Sequence, residues 1–146
     1  MISMTIFRSS TFALACTAGL MQAAPAAAET VNGDRVYVID GDTVAVQGKR
    51  QRIRLLDIDA PETYQPRCER ERLLGLKAKA RLVDLLRGRK VVIERRGIDT
   101  YGRALAHLKV NGKDIGRVLL REGHAVAWRP GRKAWDDRRR HWCGGR

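Results

Sequence analysis

The sequence predicts an α+β domain, a small closed β-barrel with two to three helices packed against it. Short segments rich in Val, Ile, Leu and Tyr recur between Gly, Asn, Asp and Pro turn signals, the pattern of barrel strands. One longer stretch, residues 69–87, switches to helical spacing between the third and fourth of them. The 146 residues leave room for one such core and not for a second.

The domain is expected over residues 29–146. Residues 1–28 read as a cleaved secretory signal: Arg8 is their only charge, residues 11–21 are apolar, and Ala26-Ala27-Ala28 offers a small-residue cleavage site. A cut before Cys16 is the lesser alternative, because the apolar region ahead of it is short. Thr17, Gly19 and Gln22 interrupt a run already too short for a retained membrane anchor.

After a polar lead, residues 29–33, strands are expected at 35–39, 43–46 and 51–56, with Asp40-Gly41 and residues 47–50 as the turns. In the third strand Arg52 and Arg54 alternate with Ile53 and Leu55, so the arginines point outward or into a cleft. Ala60-Pro61-Glu62-Thr63 and Pro66 stop it. In the helix, Leu74, Ala78, Leu82, Leu85 and Leu86 form the apolar stripe, widened by Leu73, Leu76, Ala80 and Val83, and Gly88 ends it. Strands at 91–94 and 104–110 follow, separated by a polar loop at 95–103. Asn111-Gly112 marks a tight turn, and Asp114 caps a short helix, 115–122, closed by Gly123. A short apolar piece, 124–128, precedes a basic tail, 129–146, with a last helical turn or two.

Lys and Arg number 29 against 16 Asp and Glu, a net charge of +13 that lies almost wholly in the domain. Most of the excess is arginine, whose planar fork pairs bidentately with phosphate, so a nucleic-acid partner is expected. Adhesion to an anionic envelope is the alternative. Cys68 and Cys143 remain after cleavage. An even count in an oxidising compartment predicts one disulfide, which would contribute about 3–5 kcal/mol by closing a long loop; two free thiols are the alternative. No second Cys or His stands at ligand spacing near Cys68, which argues against a thiolate metal site. His107 on a strand and His124 after a helix stop read as structural, and with His141 they have no spacing for a His-based nuclease or zinc site.

The acids concentrate in VIDGDTVAVQGKRQRIRLLDIDAPE, residues 38–62. Asp40 and Asp42 leave one apolar strand, and Asp57, Asp59 and Glu62 leave another, with Asp57 expected on the strand surface. Carboxylates converging at two strand ends repel one another unless something positive lies between them, and a hard divalent cation is the candidate.

Four segments in order, VIDGDTVAV, IRLLDIDAPE, DTYGRALAHL and NGKDIGRVLLREGHAVA, resemble the staphylococcal-type thermonuclease domain family across nearly all of residues 34–128. The resemblance implies a five-stranded OB-fold β-barrel and a Ca²⁺ site. Asp42 and Asp59 would ligate the ion with the backbone carbonyl of Ala60, where the family usually carries Thr. Asp40 would orient bound water from just outside, or simply hold its turn, and Thr43 would assist through its hydroxyl. Glu62 would act on the attacking water as general base or as orienting acceptor, and Arg54 and Arg103 would clamp the phosphate. Tyr101 and Trp128 are the expected nucleotide contacts, or else wall residues of the fold. Thr100 stands where the family often has Lys, so one cationic phosphate contact is missing.

The expectation is a monomeric, Ca²⁺-dependent phosphodiesterase, exported to the periplasm or secreted, without a membrane anchor. It would cut DNA and RNA with little sequence demand and leave 3′-phosphate ends. The rival is the same barrel with a dead site, binding nucleic acid or a protein partner.

Overall fold

The computed structural model describes residues 28–144. The expected leader, apart from Ala28, and the last two residues of the tail lie outside them.

The chain enters as β1 (Glu29–Asn32), turns through a single 3₁₀ turn (Gly33–Arg35) and continues as β2 (Val36–Asp40). The two halves make one interrupted strand with two neighbours. β1 pairs antiparallel with β6 (Lys90–Ile98), and β2 pairs antiparallel with β3 (Thr43–Val46). β3 then pairs with β4 (Ile53–Leu55), β4 runs parallel to β7 (Ala104–Val110), and β7 returns antiparallel to β6. Counting β1 and β2 as one strand, the ring closes with five members. The barrel therefore agrees with the expected architecture.

Gly33 makes the interruption possible. A Cβ there would fall 1.8 Å from the Leu86 carbonyl oxygen, and its N–H donates to the Arg89 carbonyl at 2.7 Å. The first strand thereby seats against the end of α1 (Glu69–Leu86).

Alternation drives the barrel interior. In β7, Ala104, Ala106, Leu108 and Val110 are buried while the residues between them are half-exposed. They meet Val38, Val44, Ile53, Leu55, Val91 and Ile93 from the other strands. Ala78, Leu82 and Leu86 of α1 cover one side, and Ile115 and Leu119 of α2 (Ile115–Arg121) cover another. Each such Leu or Ile contributes about 1.5–3 kcal/mol on burial.

Four differences from expectation have physical causes. The polar lead at 29–33 is strand β1, because β6 offers it a free edge. The loop at 95–103 shrinks to residues 99–103, because β6 continues pairing with β7 through a bulge between Arg95 and Gly97. Leu73 and Leu76 of α1 are exposed, and its buried line runs through Glu71 and Gly75 instead. Asp57 is not a strand residue but a left-handed turn position, φ 63°, between β4 and β5 (Ile58–Asp59).

Besides β1, three short strands escaped the sequence: β5, which pairs with β9 (Val126–Ala127), and β8 (Lys113–Asp114), beside β7. The basic tail is a 12-residue helix, α3 (Arg132–Cys143). It docks on α1 through Trp142, 2% exposed, and through a disulfide between Cys143 and Cys68, the N-cap of α1.

Candidate active site

The site begins at a bulge between Val38 and Asp40. Gly41 follows, where a Cβ would lie 2.7 Å from the Ala78 methyl and 2.8 Å from that of Ala60. With no side chain there, α1 and the Ala60 segment close over the turn and bury Asp42. The Asp42 Oδ2 accepts from the Ala60 N–H at 2.7 Å, and its Oδ1 accepts from the Thr43 hydroxyl at 3.0 Å. Burial pushes the Asp42 carboxyl up from its ordinary pKa, opposed by Arg54 and by these hydrogen bonds, and reinforced by the charge of Asp59.

Arg54 lies opposite Thr43 in the β3–β4 ladder and turns inward. Its Nη1 is 3.1 Å from Asp42 Oδ2, and its Nη2 donates to Asp59 Oδ1 at 3.0 Å. The same Nη1 donates to the carbonyls of Leu55 and Ile58, both at 3.0 Å. One guanidinium thus joins the two aspartates that β2 and β5 deliver from different strand ends. The second oxygen of Asp59 is also engaged: Arg138 Nε of α3 lies 2.9 Å from Oδ2.

Asp40 stands beside this cluster, its Oδ1 accepting from the Thr63 N–H at 3.3 Å and from the Thr63 hydroxyl. Glu62 lies between that cluster and a solvent-open cleft of about 610 Å³ lined with Arg50, Gln51, Arg52, Tyr101, Gly102 and Arg103. Its carboxyl is pushed up to about 7, first by desolvation and then by the charges of Asp42, Asp40 and Asp59. By accessible surface Glu62 is exposed, so water screens part of this effect and the three neighbouring carboxylates are its firmer cause. Gly75 of α1 sets the backbone of this segment: a Cβ there would lie 2.8 Å from the Pro61 carbonyl oxygen and 2.9 Å from that of Glu62.

Arg103 reaches the cleft from the turn after β6. Asp99 Oδ1 accepts the backbone N–H groups of Tyr101 and Arg103, both at 2.9 Å, while Oδ2 takes the Arg103 Nε at 2.7 Å. The Arg103 guanidinium also lies 5.4 Å from the centre of the Tyr101 ring, which is 83% exposed. Glu62, Tyr101 and Arg103 therefore share one cleft. Trp128, half-exposed, follows β9 at the Asp57 end of its pairing with β5, its N–H donating to the Asp57 carbonyl at 3.0 Å, and does not line that cleft.

Asp42 and Asp59 supply hard oxygen donors under mutual repulsion, with Asp40 and Glu62 adding negative charge. In its chemistry that donor set suits a hard divalent cation such as Ca²⁺. With the Arg54 guanidinium between Asp42 and Asp59, however, no three of these carboxylates bring oxygens within 4.8 Å of one another. The cluster of Cys68, Glu71 and Cys143 does not fit a metal, although its ligand atoms lie within 4.8 Å of one another. Its sulfurs are bonded to each other, and buried Glu71 is held by the Arg67 side chain and backbone N–H. His107 is structural, its Nδ1 2.8 Å from Asp114 Oδ2.

Sequence reasoning missed four residues. Asp99 was legible in principle, since an Asp opening DTYGR is an Asx-turn signal. A glycine inside a helical pattern, Gly75, is also a packing signal. Thr63 and Arg138 carry no local signal, because their partners are distant in the chain.

Residues 52–141 match the family described as staphylococcal nuclease homologue. The chain is 36% identical over 128 residues to the micrococcal nuclease of Shigella flexneri, covering 80% of this chain and 69% of that protein. It is 40% identical over 95 residues to an endonuclease of Bacillus subtilis (strain 168), covering 60% and 43%. Against the thermonuclease of Staphylococcus hyicus it is 35% identical over 104 residues, covering 67% and 61%.

Proposed function

The chain belongs to the staphylococcal nuclease homologue family, and on that premise we propose that it is a Ca²⁺-dependent endonuclease, exported and monomeric, that hydrolyses DNA and RNA. The observation that carries this reading is the juxtaposition of Asp42, Arg54 and Asp59 with Glu62, which opens onto the cleft of Arg103. The proposed addresses, periplasm or exterior, rest on the leader-like residues 1–28 and on the Cys68–Cys143 disulfide.

Asp42, Asp59 and the Ala60 carbonyl would hold the cation, which when bound neutralises a phosphate oxygen. Asp40 would accept from a water just outside them. Glu62, next to three other carboxylates, would orient the attacking water and take up its proton on a carboxylate oxygen. Arg103, aimed by Asp99, and Arg54 would stabilise the negative charge that spreads over phosphorus in the transition state. To reach the phosphate, Arg54 must give up Asp42 or Asp59, so its present bonds are those of a resting site. Water would add opposite the 5′ oxygen, which leaves and takes a proton from solvent, so the products end in 3′-phosphate and 5′-hydroxyl. Tyr101 at the cleft and Trp128, whose backbone meets Asp57, would stack on bases, which favours single strands and frayed ends.

The test is digestion of plasmid and single-stranded nucleic acid by residues 29–146 with Ca²⁺ or with chelator, alongside Glu62→Gln and Arg103→Ala. The expected result is cleavage that requires Ca²⁺ and falls by about 10²–10³ or more in either variant. Full cleavage in chelator would remove the cation from this reading. Binding without cleavage under any divalent ion would mean a non-catalytic nucleic-acid module.

A further inference from the structure

Arg138 lies outside the family's expected site residues, yet it holds one of them. It is carried by α3, reaches across to β5, and pairs with Asp59 Oδ2 at 2.9 Å while only 14% of its side chain is exposed. Its Nη1 also donates to the Arg129 carbonyl at 2.9 Å, which fixes the guanidinium from the other end. With Arg54 on Oδ1, both oxygens of Asp59 are taken by arginine. Two carboxylates, Asp42 and Asp59, thus face two guanidiniums, and that group of four side chains is electrically neutral.

A cation entering this group must displace or outweigh those positive charges. Arg54 sits on a short strand and is expected to turn to the phosphate. Arg138 has a different anchorage. The helix that carries it is bonded to α1 at Cys143, buries Trp142, and receives hydrogen bonds from Arg70 Nη1 to the carbonyls of His141 and Trp142, both at 3.3 Å. Holding the helix in place keeps the Arg138 guanidinium at Asp59 at a high effective concentration.

We infer that Arg138, presented by the disulfide-tethered helix α3, is a positioning residue that opposes the cation at Asp59 and sets how tightly the site binds it. This rests on the Ca²⁺ reading of Asp42 and Asp59. The field of Arg138 weakens cation binding, while its bond to Oδ2 fixes the carboxylate so that Oδ1 is the oxygen left to offer once Arg54 turns to the phosphate. Loss of Arg138 therefore leaves a site that binds cation more tightly. A residue that only supported the fold would give the opposite sign.

The experiment is calorimetric titration of CaCl₂ into the protein without nucleic acid, with circular dichroism melting to check the fold. Arg138→Gln is expected to bind Ca²⁺ roughly tenfold more tightly, the scale for removing one charge a few ångströms from a divalent ion near solvent. Arg138→Lys keeps a positive charge on the same helix and is expected to stay within about threefold of wild type. Removing the tether with Cys68→Ser/Cys143→Ser shifts affinity in the direction of the Gln variant, and adding Arg138→Gln to that pair shifts it no further than Arg138→Gln alone. Equal or weaker Ca²⁺ binding by a folded Arg138→Gln protein, with wild type binding normally, overturns the inference alone. Absence of Ca²⁺ binding by wild type overturns the cation reading and this inference with it.

Discussion

Replacing Gly75 by Ala probes the contact that seats the proposed base. The new Cβ would lie 2.8 Å from the Pro61 carbonyl oxygen and 2.9 Å from that of Glu62, with the Glu62 carbonyl carbon at 3.0 Å. All three atoms are backbone, so no side chain can rotate out of the way. Relief to ordinary contact needs a shift of about half an ångström of α1 or of the Glu62 segment, an overpacking cost of about 1–3 kcal/mol. Alanine returns up to about 1 kcal/mol through its better helix propensity. The net expectation is a loss of up to about 2 kcal/mol in urea denaturation. The shift also moves Glu62 relative to Asp42, and misplacements of this size are expected to lower kcat by about tenfold. Cleavage of a fluorescent single strand at saturating Ca²⁺ measures that loss. A Gly75→Ala protein more stable than wild type and equally active would refute the idea that this backbone contact positions Glu62.

Asp99→Ala frees Arg103 and strips acceptors from two backbone N–H groups, so kcat is expected to fall about tenfold with little change in Ca²⁺ affinity; a fall confined to Ca²⁺ affinity would contradict the assignment. Cys68→Ser/Cys143→Ser opens a link spanning 75 positions and is expected to lower unfolding free energy by about 3–5 kcal/mol, whereas a loss below about 1 kcal/mol would mean that α3 holds without it. In chelator, Glu62 titrates at about 7 in the fold against 4.5 unfolded, so its ionised form opposes folding. That penalty is absent below the unfolded value, grows as pH rises from there to about 7, and is fully present above it. Glu62→Gln is therefore expected to melt higher than wild type at pH 8 and to lose that advantage by about pH 5. Parallel melting curves across this range would show that the neighbouring carboxylates do not act on Glu62.

Much of the architecture was already legible in residue patterns. The alternation of β7, the stop at Gly88 and the cap at Asp114 are local signals, written in side chains that act on their own backbone. Asp42, Asp59 and Glu62 stood out because acids are concentrated at two strand ends, a one-dimensional property, whereas Arg54 and Arg103 were singled out by the resemblance of their segments to the family. Strands β1, β5, β8 and β9 were not legible, since strands of two to four residues are defined by the partner they pair with.

Only the tertiary structure decided which charges meet. Arg54 lies 5 residues before Asp59 but 12 after Asp42, and it joins both because β2, β3 and β4 lie side by side in the barrel. Arg138 is farther still, brought to Asp59 by a helix whose position depends on a disulfide and a buried Trp142. An ion pair depends on distance in space, and a chain order carries that distance only where strand or helix geometry converts one into the other. The sequence therefore determined the barrel and the pool of charged groups, and the packing of α3 determined that Asp59 faces two guanidiniums rather than one.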